Sequence, residues 1–311
     1  MRAFRAAWVV PIDRAPIADG YVEVAGGRIV GVGEVCFTPA PIDLGRVALM
    51  PGLVNTHTHL ELSWMRGRVP PAPAFTEWVK AMFAVRGRPD AGMSATQVAA
   101  ISDGALEARA AGTAAVGDIS NSLASVGPLR EAGLDGIVFH ELLGFKERDG
   151  SLVERTQAVR TAARATGIRI SLAPHAPYST SLELFRAIRY AVAGSECPVM
   201  SVHLGESPEE SELLRTGSGP WRRMLEAMGA WRDDWPVPAC DPVTYLDRQG
   251  LIDRRTVLAH GVQFDDAALG RVAEIGATIV TCPRSNRWVG VGAPPIDRFY
   301  ASGVRVAVGT D

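Results

Sequence analysis

Five of the six histidines in this 311-residue chain stand at or just after the end of an apolar run. They are His57, His59, His175, His203 and His260. Asp311 follows another apolar run in the same way. Neutral imidazole nitrogens and carboxylate oxygens are the ligands that zinc and similar divalent metals prefer in proteins. If the runs are strands that end at one face, the residue types predict a metal site there.

The spacing of the first two histidines supports this prediction. In His57-Thr58-His59 the two-residue period of a strand places both imidazoles on one side. His203 would add a third nitrogen from across the sheet. Asp311 would add an oxygen ligand and accept a proton from a water molecule that the metal polarises. His260 would then orient or stabilise that nucleophile.

Apolar, β-rich runs alternate with amphipathic stretches from residue 51 onward, a pattern that indicates βα units and a parallel sheet. We predict eight strands, at residues 49–57, 113–119, 136–143, 168–174, 197–203, 256–260, 277–282 and 304–309. Helices are predicted over 95–111, 152–165, 181–192 and 267–275. Eight such units predict an α/β fold of the (β/α)8 TIM-barrel type, whose functional face lies at the C-terminal strand ends. An open, doubly wound sheet would call for a glycine-rich turn where residues 55–59 stand.

Two segments stand apart from this repeat. Residues 1–50 hold short β-type runs at 7–12, 21–24 and 28–32, separated by Asp-Gly and Gly-Gly turns, and predict a small β-sandwich subdomain before a barrel domain at 51–311. The stretch 206–255 is a long insertion with three tryptophans. It would form a lid, a subunit contact or core packing under a long loop.

Composition narrows the class of protein. With 47% hydrophobic residues the chain is globular, and 32 basic against 34 acidic residues leave a net charge of −2, which gives no support for nucleic-acid binding. The apolar run at residues 6–10 is too short for a signal peptide, and no run reaches the length of a membrane span, so we expect a cytoplasmic protein without membrane association. The four cysteines are scattered, which predicts neither disulfides nor a cysteine-based zinc site.

Four motifs in chain order carry a resemblance to a known family. They are Pro51-Gly52-Leu53-Val54-Asn55-Thr56-His57-Thr58-His59, Val202-His203-Leu204-Gly205-Glu206, Leu258-Ala259-His260-Gly261 and Val308-Gly309-Thr310-Asp311. Together they resemble the amidohydrolase superfamily over essentially the whole chain. The resemblance implies that His57, His59, His203 and Asp311 bind a divalent metal. It also implies that His260 contacts the attacking water.

The likeness extends to a branch of that superfamily. Members with two metals usually bridge them with a carboxylated lysine at the fourth strand end, but that strand ends at His175 and the only lysines are Lys80 and Lys146. We therefore expect one metal ion, with zinc first and Fe²⁺ or Mn²⁺ as alternatives. The pair His203 and Glu206 resembles the branch that hydrolytically deaminates heterocycles. Glu206 would shuttle a proton to the ring nitrogen, a role that we favour over the alternative that it only begins the following helix.

Three short segments bear on the identity of the substrate, which we expect to be a small heterocyclic amine. The sequence after His59, the stretch around Trp78 and the segment after the seventh strand look like those of 6-aminodeoxyfutalosine deaminases of menaquinone biosynthesis. That substrate joins an adenine to a ribose bearing a benzoate. The resemblance implies that His175 reaches the substrate and that Trp78 supplies aromatic surface. Arg284 or Arg66 would bind the carboxylate. Deamination of guanine, cytosine or a triazine, and hydrolysis of a cyclic amide, are the alternative activities.

The ends of the family pattern raise one further expectation. Members usually continue past the eighth-strand aspartate with a helix and with strands that complete the N-terminal subdomain, whereas this sequence stops at Asp311. The expectation is an incomplete barrel and sandwich that is poorly soluble or inactive. A truncated barrel that acts as a binding protein is the corresponding alternative function. The sequence leaves a homodimer open.

Overall fold

The computed structural model describes residues 1–87 and 92–311. The described chain forms two compact units, Met1–Leu53 and Val54–Asp311. Within the described residues no helix has both the length and the apolar character that crossing a membrane requires.

The first unit consists of two small sheets. Its strands are β1 (Arg2–Arg5), β2 (Trp8–Val9), β3 (Ile17–Ala18), β4 (Tyr21–Ala25), β5 (Arg28–Gly33), β6 (Ile42–Asp43) and β7 (Ala48–Leu49). They are ordered β5-β4-β1-β6 in one sheet and β3-β2-β7 in the other. Ala6, Val9 and Val22 form the buried core of this unit. Strand β1 has no counterpart among the predicted runs, because its sequence Arg-Ala-Phe-Arg is half charged.

The second unit contains eight further strands in two parallel four-stranded arcs, ordered β11-β10-β9-β8 and β12-β13-β14-β15. They are β8 (Leu53–Thr58), β9 (Thr113–Ser120), β10 (Asp135–Leu142), β11 (Arg169–Pro174), β12 (Met200–Leu204), β13 (Thr256–His260), β14 (Thr278–Thr281) and β15 (Arg305–Val308). The arcs meet at two seams. The His203 N–H donates to the His175 carbonyl at one seam, and the Thr310 N–H donates to the His57 carbonyl at the other. The predicted α/β barrel is therefore confirmed.

Helices follow the strands, as the alternating pattern predicts. They are a 3₁₀ helix (Leu60–Met65), α1 (Phe75–Arg86), α2 (Ala95–Ala110), α3 (Val126–Glu131), α4 (Ser151–Arg155), α5 (Gln157–Arg164), α6 (Leu182–Ala193), α7 (Pro208–Thr216), α8 (Pro220–Ala227), α9 (Pro242–Arg248), α10 (Asp266–Ile275), α11 (Pro283–Trp288) and α12 (Ile296–Ser302). The Ser181 hydroxyl caps α6 by accepting the Leu184 N–H at 3.1 Å, as its sequence predicts. The single helix predicted over 152–165 is wrong. It is interrupted at Thr156, whose hydroxyl bonds back to the Leu152 carbonyl.

The largest core packs the second arc against the helices of the 206–255 insertion. Trp221 and Trp235 are buried in that core, and Trp231 packs against it half-buried, so the tryptophans of the insertion contribute to core packing. In the first arc, β8 and β9 approach each other closely at Gly117 of β9. A Cβ atom there would lie 2.2 Å from the Thr56 carbonyl oxygen, so only glycine allows β8 and β9 to approach this closely.

Candidate active site

Three histidines and one aspartate meet at the C-terminal ends of the barrel strands. His57 lies in β8 and His59 just after it, His203 lies in β12, and Asp311 follows β15. One donor atom from each residue lies within 4.8 Å of the others. Asp311 Oδ1 is 3.0 Å from His57 Nε2 and 3.1 Å from His59 Nε2. The structure thus brings together the four residues that the sequence predicts as metal ligands.

Hydrogen bonding determines which ring nitrogen of His203 can bind a metal ion. Its Nδ1 lies 3.0 Å from the His175 carbonyl oxygen and donates to it. The lone pair is therefore on Nε2, which lies only 3.3 Å from His59 Nε2. Burial opposes the charge of Asp311, but the surrounding histidines and their hydrogen bonds still hold the pKa of its carboxyl well below the usual value. Converging nitrogen lone pairs beside a half-buried carboxylate fit a divalent cation.

Glu206 and His260 stand on the neighbouring side of the cluster. Glu206 is 3% exposed, and its Oε1 lies 3.6 Å from His260 Nε2. His260 Nε2 also lies 3.9 Å from Asp311 Oδ2. The His260 Nδ1 donates to Asn286 Oδ1 at 2.8 Å, which leaves Nε2 as the acceptor that faces Glu206 and Asp311. Burial lowers the pKa of His260 to about 4, so this ring is neutral at pH 7.

The backbone of His260 is in an unusual conformation. Its φ is +78°, in the left-handed region that residues other than glycine rarely adopt. The strand β13 ends at this residue, and Gly261 follows with φ +62°. Such a turn directly after a strand points the ring across the barrel mouth. Strained residues of this kind are concentrated at functional sites.

The start of helix α7 fixes Glu206. Ser207 caps the helix and Pro208 begins it, so Glu206 lies outside the helix. The buried Glu210 carboxylate accepts the Glu206 N–H at 3.0 Å through Oε2. Burial, followed by the charges of Asp311 and Glu210, raises the pKa of Glu206 well above its ordinary value. Glu206 is thus a rigidly held carboxyl beside His260, in surroundings that favour its protonated form.

Two buried acids that the sequence did not single out support the segment after His59. The Glu61 carboxylate accepts the backbone N–H groups of Asn121 at 3.0 Å and Ser122 at 3.1 Å, and also receives the Ser120 and Ser122 hydroxyls. Asp118 accepts the Leu60 N–H at 2.9 Å. These bonds tie the segment to the end of β9. The signal for Glu61 was its place two residues after His59, but its partners lie about 60 positions later in the chain, at the end of the neighbouring strand β9.

Strand β10 contributes a third unassigned acid. In Phe139-His140-Glu141 the residue types alone allow either His140 or Glu141 to face the barrel interior. The structure places Glu141, 5% exposed, with Oε1 3.5 Å from His203 Nδ1 and within 4.8 Å of a His175 nitrogen. His140 points to the other side, where its Nε2 donates to the Asn121 carbonyl at 3.1 Å. The alternation of a strand requires the two to face opposite sides.

The predicted substrate contacts lie in different surroundings. The His175 ring is 5.6 Å from Tyr178 and 4.8 Å from His203, centroid to centroid. Trp78 is half-buried in α1 and stacks on Phe75, which also meets Tyr178 and Trp221 edge-on. These residues form an aromatic wall beside the cluster.

The two arginines expected to bind a carboxylate are both exposed. Arg66 forms an ion pair with Glu107 at 2.6 Å, with its side chain 71% exposed. Arg284 lies near the start of α11. Within residues 1–87 and 92–311, Arg284 makes no side-chain hydrogen bond or ion pair. The structure therefore brings neither arginine into contact with His57, His59, His203 and Asp311, which we call the four-ligand cluster.

Comparison with known proteins decides the family. A sequence model described as the amidohydrolase family matches residues 48–311. The chain belongs to the amidohydrolase family. The resemblance inferred from the four motifs is thus confirmed. Members of this family generally bind a divalent metal, and His57, His59, His203 and Asp311 have the donor types and spacing that could hold one.

Two curated relatives of this amidohydrolase are deaminases. It is 32% identical over 308 residues to an aminodeoxyfutalosine deaminase of Deinococcus radiodurans, covering 92% of this chain and 71% of the relative. It is 28% identical to a 5-methylthioadenosine/S-adenosylhomocysteine deaminase of Nitratidesulfovibrio vulgaris, covering 99% of this chain and 68% of the relative.

Solved structures show the same fold for this amidohydrolase. The Helicobacter pylori aminofutalosine deaminase in complex with methylthio-coformycin has a TM-score of 0.86 at 23% identity and covers 100% of this chain and 77% of its own. An adenosine deaminase from Xanthomonas campestris with bound zinc has a TM-score of 0.75 at 24% identity and covers 99% and 68%.

Proposed function

We propose that this amidohydrolase hydrolytically deaminates an adenine nucleoside, with aminodeoxyfutalosine as the substrate. The observation that carries the proposal is the group Glu206, His260 and Asp311, whose ligand atoms lie within 4.8 Å of one another and which shares Asp311 with the four-ligand cluster. A proton-holding carboxyl, a neutral imidazole and a carboxylate beside a cation site are the groups that hydrolysis of an aromatic C–N bond requires. The named curated relative acts on this substrate class.

The metal ion in this proposal is zinc, held by His57, His59, His203 and Asp311. Three neutral nitrogens and one carboxylate oxygen suit its preference for four ligands of these types. Zinc supplies Lewis-acid polarisation of water and of the developing charge. The adenosine deaminase from Xanthomonas campestris, a protein of the same fold, was solved with bound zinc.

The reaction adds water to the amino-bearing ring carbon and releases ammonia. The Asp311 carboxylate, whose pKa is held low, accepts a proton from the attacking water. The neutral His260 accepts a hydrogen bond from that water at Nε2 and directs its oxygen towards the ring. Both groups are held by contacts within the barrel, so little reorganisation is needed during reaction.

Glu206 supplies the second proton transfer. Its carboxyl, whose protonated form burial favours, gives a proton to the ring nitrogen next to the attacked carbon. The resulting carboxylate then takes a proton from the added hydroxyl and passes it to the leaving amine, and the proton that Asp311 accepted returns to Glu206 before the next turnover. The carbon ends as a carbonyl, and one water is consumed for each ammonia released. His175 and the aromatic wall that contains Trp78 would contact the substrate beside Glu206.

The proposal is tested by ultraviolet spectroscopy of the zinc-loaded protein with aminodeoxyfutalosine and, separately, adenosine. Conversion of adenine absorbance to that of hypoxanthine, with stoichiometric ammonia, is expected for aminodeoxyfutalosine. A chelator-treated sample is the control and should be inactive until zinc returns. If protein that holds one zinc per chain converts neither compound, the proposed adenine-nucleoside deamination is wrong.

A further inference from the structure

Helix α1 (Phe75–Arg86) lies beside the site with different chemistry at its two ends. Its N-terminal turn holds Phe75 and Trp78, which contact the aromatic residues Tyr178 and Trp221 or one another. Trp78, Met82 and Arg86 recur every four residues and therefore follow one side of the helix. At 1.5 Å per residue, Arg86 stands about 12 Å along the axis from Trp78. The helix thus carries one cation about two turns beyond its aromatic N-terminal end.

The guanidinium of Arg86 is directed to the end of strand β9. Its Nη2 donates to Asn121 Oδ1 at 2.8 Å. The Asn121 amide nitrogen in turn donates to Glu141 Oε2 at 3.0 Å and to the Glu141 carbonyl at 3.2 Å. Glu141 also lies close to His203 and His175. Arg86 is therefore connected to the site by two consecutive side-chain hydrogen bonds.

The charge of Arg86 acts on the site. Burial is the largest cause that lowers the pKa of His175, and the charge of Arg86 lowers it further. Within residues 1–87 and 92–311, no aspartate or glutamate forms an ion pair with Arg86. Its contact with Asn121 uses one of five guanidinium N–H donors, so a pair of parallel donors remains for a planar anion.

Arg86 differs in this respect from the two arginines that the sequence favoured. Arg66 already has a carboxylate partner in Glu107 and is mostly exposed to water. Arg284 is exposed and has no neighbouring residue that orients it within the described chain. Arg86 is half-buried and oriented by an amide. A fixed, partly desolvated guanidinium binds a carboxylate more strongly than a mobile, hydrated one.

Resting on the proposed deamination of aminodeoxyfutalosine, we propose that Arg86 binds the carboxylate of the benzoate group that this substrate carries. The aryl ring would lie against the aromatic residues of α1, and the carboxylate would meet the guanidinium at the C-terminal end of the helix. Arg86 is then the residue that separates this substrate from neutral adenine nucleosides. It takes no part in the proton transfers.

The experiment compares Arg86→Met with the unaltered zinc protein on aminodeoxyfutalosine and on adenosine. For aminodeoxyfutalosine we expect KM to rise on the order of 10- to 100-fold with kcat nearly unchanged, the effect of losing a charged hydrogen-bonding pair. For adenosine both constants should stay within about threefold. Arg86→Lys, which keeps the charge but loses the paired donors, should raise KM for aminodeoxyfutalosine by a smaller factor.

Arg66→Met is the matched control, because it removes an exposed arginine that already has a partner, and it should leave KM for both compounds unchanged. An equal loss on both substrates in Arg86→Met would assign Arg86 a structural role through Asn121 and overturn the inference. A rise in KM with Arg284→Met but not with Arg86→Met would overturn it too. If Arg86→Met does not fold, Arg86→Lys decides between the same outcomes. Inactivity of the unaltered protein on both compounds would instead refute the proposed deamination.

Discussion

Replacing Glu206 with glutamine removes a transferable proton while it keeps the shape of the side chain. The side chain is buried and its Oε1 lies 3.6 Å from His260 Nε2. Burial raises the pKa of Glu206, which favours the neutral carboxyl, and glutamine places a neutral amide of the same size in the same position. The fold and the metal-binding residues should therefore be unaffected. Only the proton transfers to the ring nitrogen and to the leaving amine are lost.

The expected magnitude follows from that isolated loss. A positioned general acid and base contributes about 10²- to 10⁴-fold to a rate, which corresponds to about 3–5 kcal/mol in the activation barrier. We therefore expect kcat of Glu206→Gln to fall by that factor. KM should change by less than about threefold, since the amide occupies the same place. Steady-state spectroscopy at saturating substrate measures kcat, and metal analysis of the same sample verifies one ion per chain.

Glu210→Gln is the matched control. Glu210 has the same side chain and is also fully buried. Its carboxyl accepts the Glu206 N–H and its charge helps raise the pKa of Glu206, but it transfers no proton itself in the proposed reaction. This variant should lower the melting temperature and reduce kcat by less than about tenfold. If Glu206→Gln keeps turnover within tenfold of the unaltered protein, the proton-transfer role is refuted. An equal loss in both variants would show that packing, not proton transfer, limits the rate.

Three further predictions concern groups around the site. Burial raises the pKa of Asp118 from 3.8 to about 7, so the contribution of this group to the unfolding free energy is complete below about pH 4 and is lost as the pH rises to 7. In urea titrations, Asp118→Asn should therefore remove roughly 3 kcal/mol of the decrease in unfolding free energy between pH 5 and pH 8. An unchanged dependence of the unfolding free energy on pH would contradict this. Asn286→Ala frees the tautomer of His260 and should lower kcat about 10- to 100-fold with little change in KM, whereas an unaltered kcat would show that the tautomer is set elsewhere. Gly117→Ala forces a Cβ against the Thr56 carbonyl and should cost at least about 1–3 kcal/mol of stability. Thermal unfolding would show this cost as a lower melting temperature. A melting temperature that does not fall would mean that β8 and β9 can move apart to make room for the Cβ.

Much of the barrel follows from the period and length of the apolar runs. Strand β13 matches its prediction in both bounds, and α10 begins one residue before its predicted start, because a capping aspartate precedes it. The break at Thr156 was missed since apolar periodicity continues through it, and only the bond from its hydroxyl to the preceding turn shows the interruption. Local backbone hydrogen bonds of this kind leave no trace in a hydrophobic pattern.

The site divides in the same manner. His57, His59 and Asp311 were found because metal-binding residue types at strand ends are rare and strongly patterned. Glu141 and Arg86 were not, for two different physical reasons. The choice between neighbouring residues of β10 depends on the register that orients the strand, and the direction of Arg86 depends on the rotation of α1 about its axis. Neither quantity is determined by the residue types alone.

The seam between the first and last barrel strands has a consequence for how the chain folds. His57 and Asp311 are 254 positions apart in the sequence, yet their side chains touch and the Asp311 N–H donates to the His57 carbonyl. Closing a flexible loop of that length costs about 5 kcal/mol of chain entropy. A cation held by both residues would act as a reversible cross-link across the whole barrel, so its binding free energy and the folding free energy are linked. Substitutions that destabilise any part of the barrel should therefore weaken the apparent metal affinity, even where they lie far from the ligands.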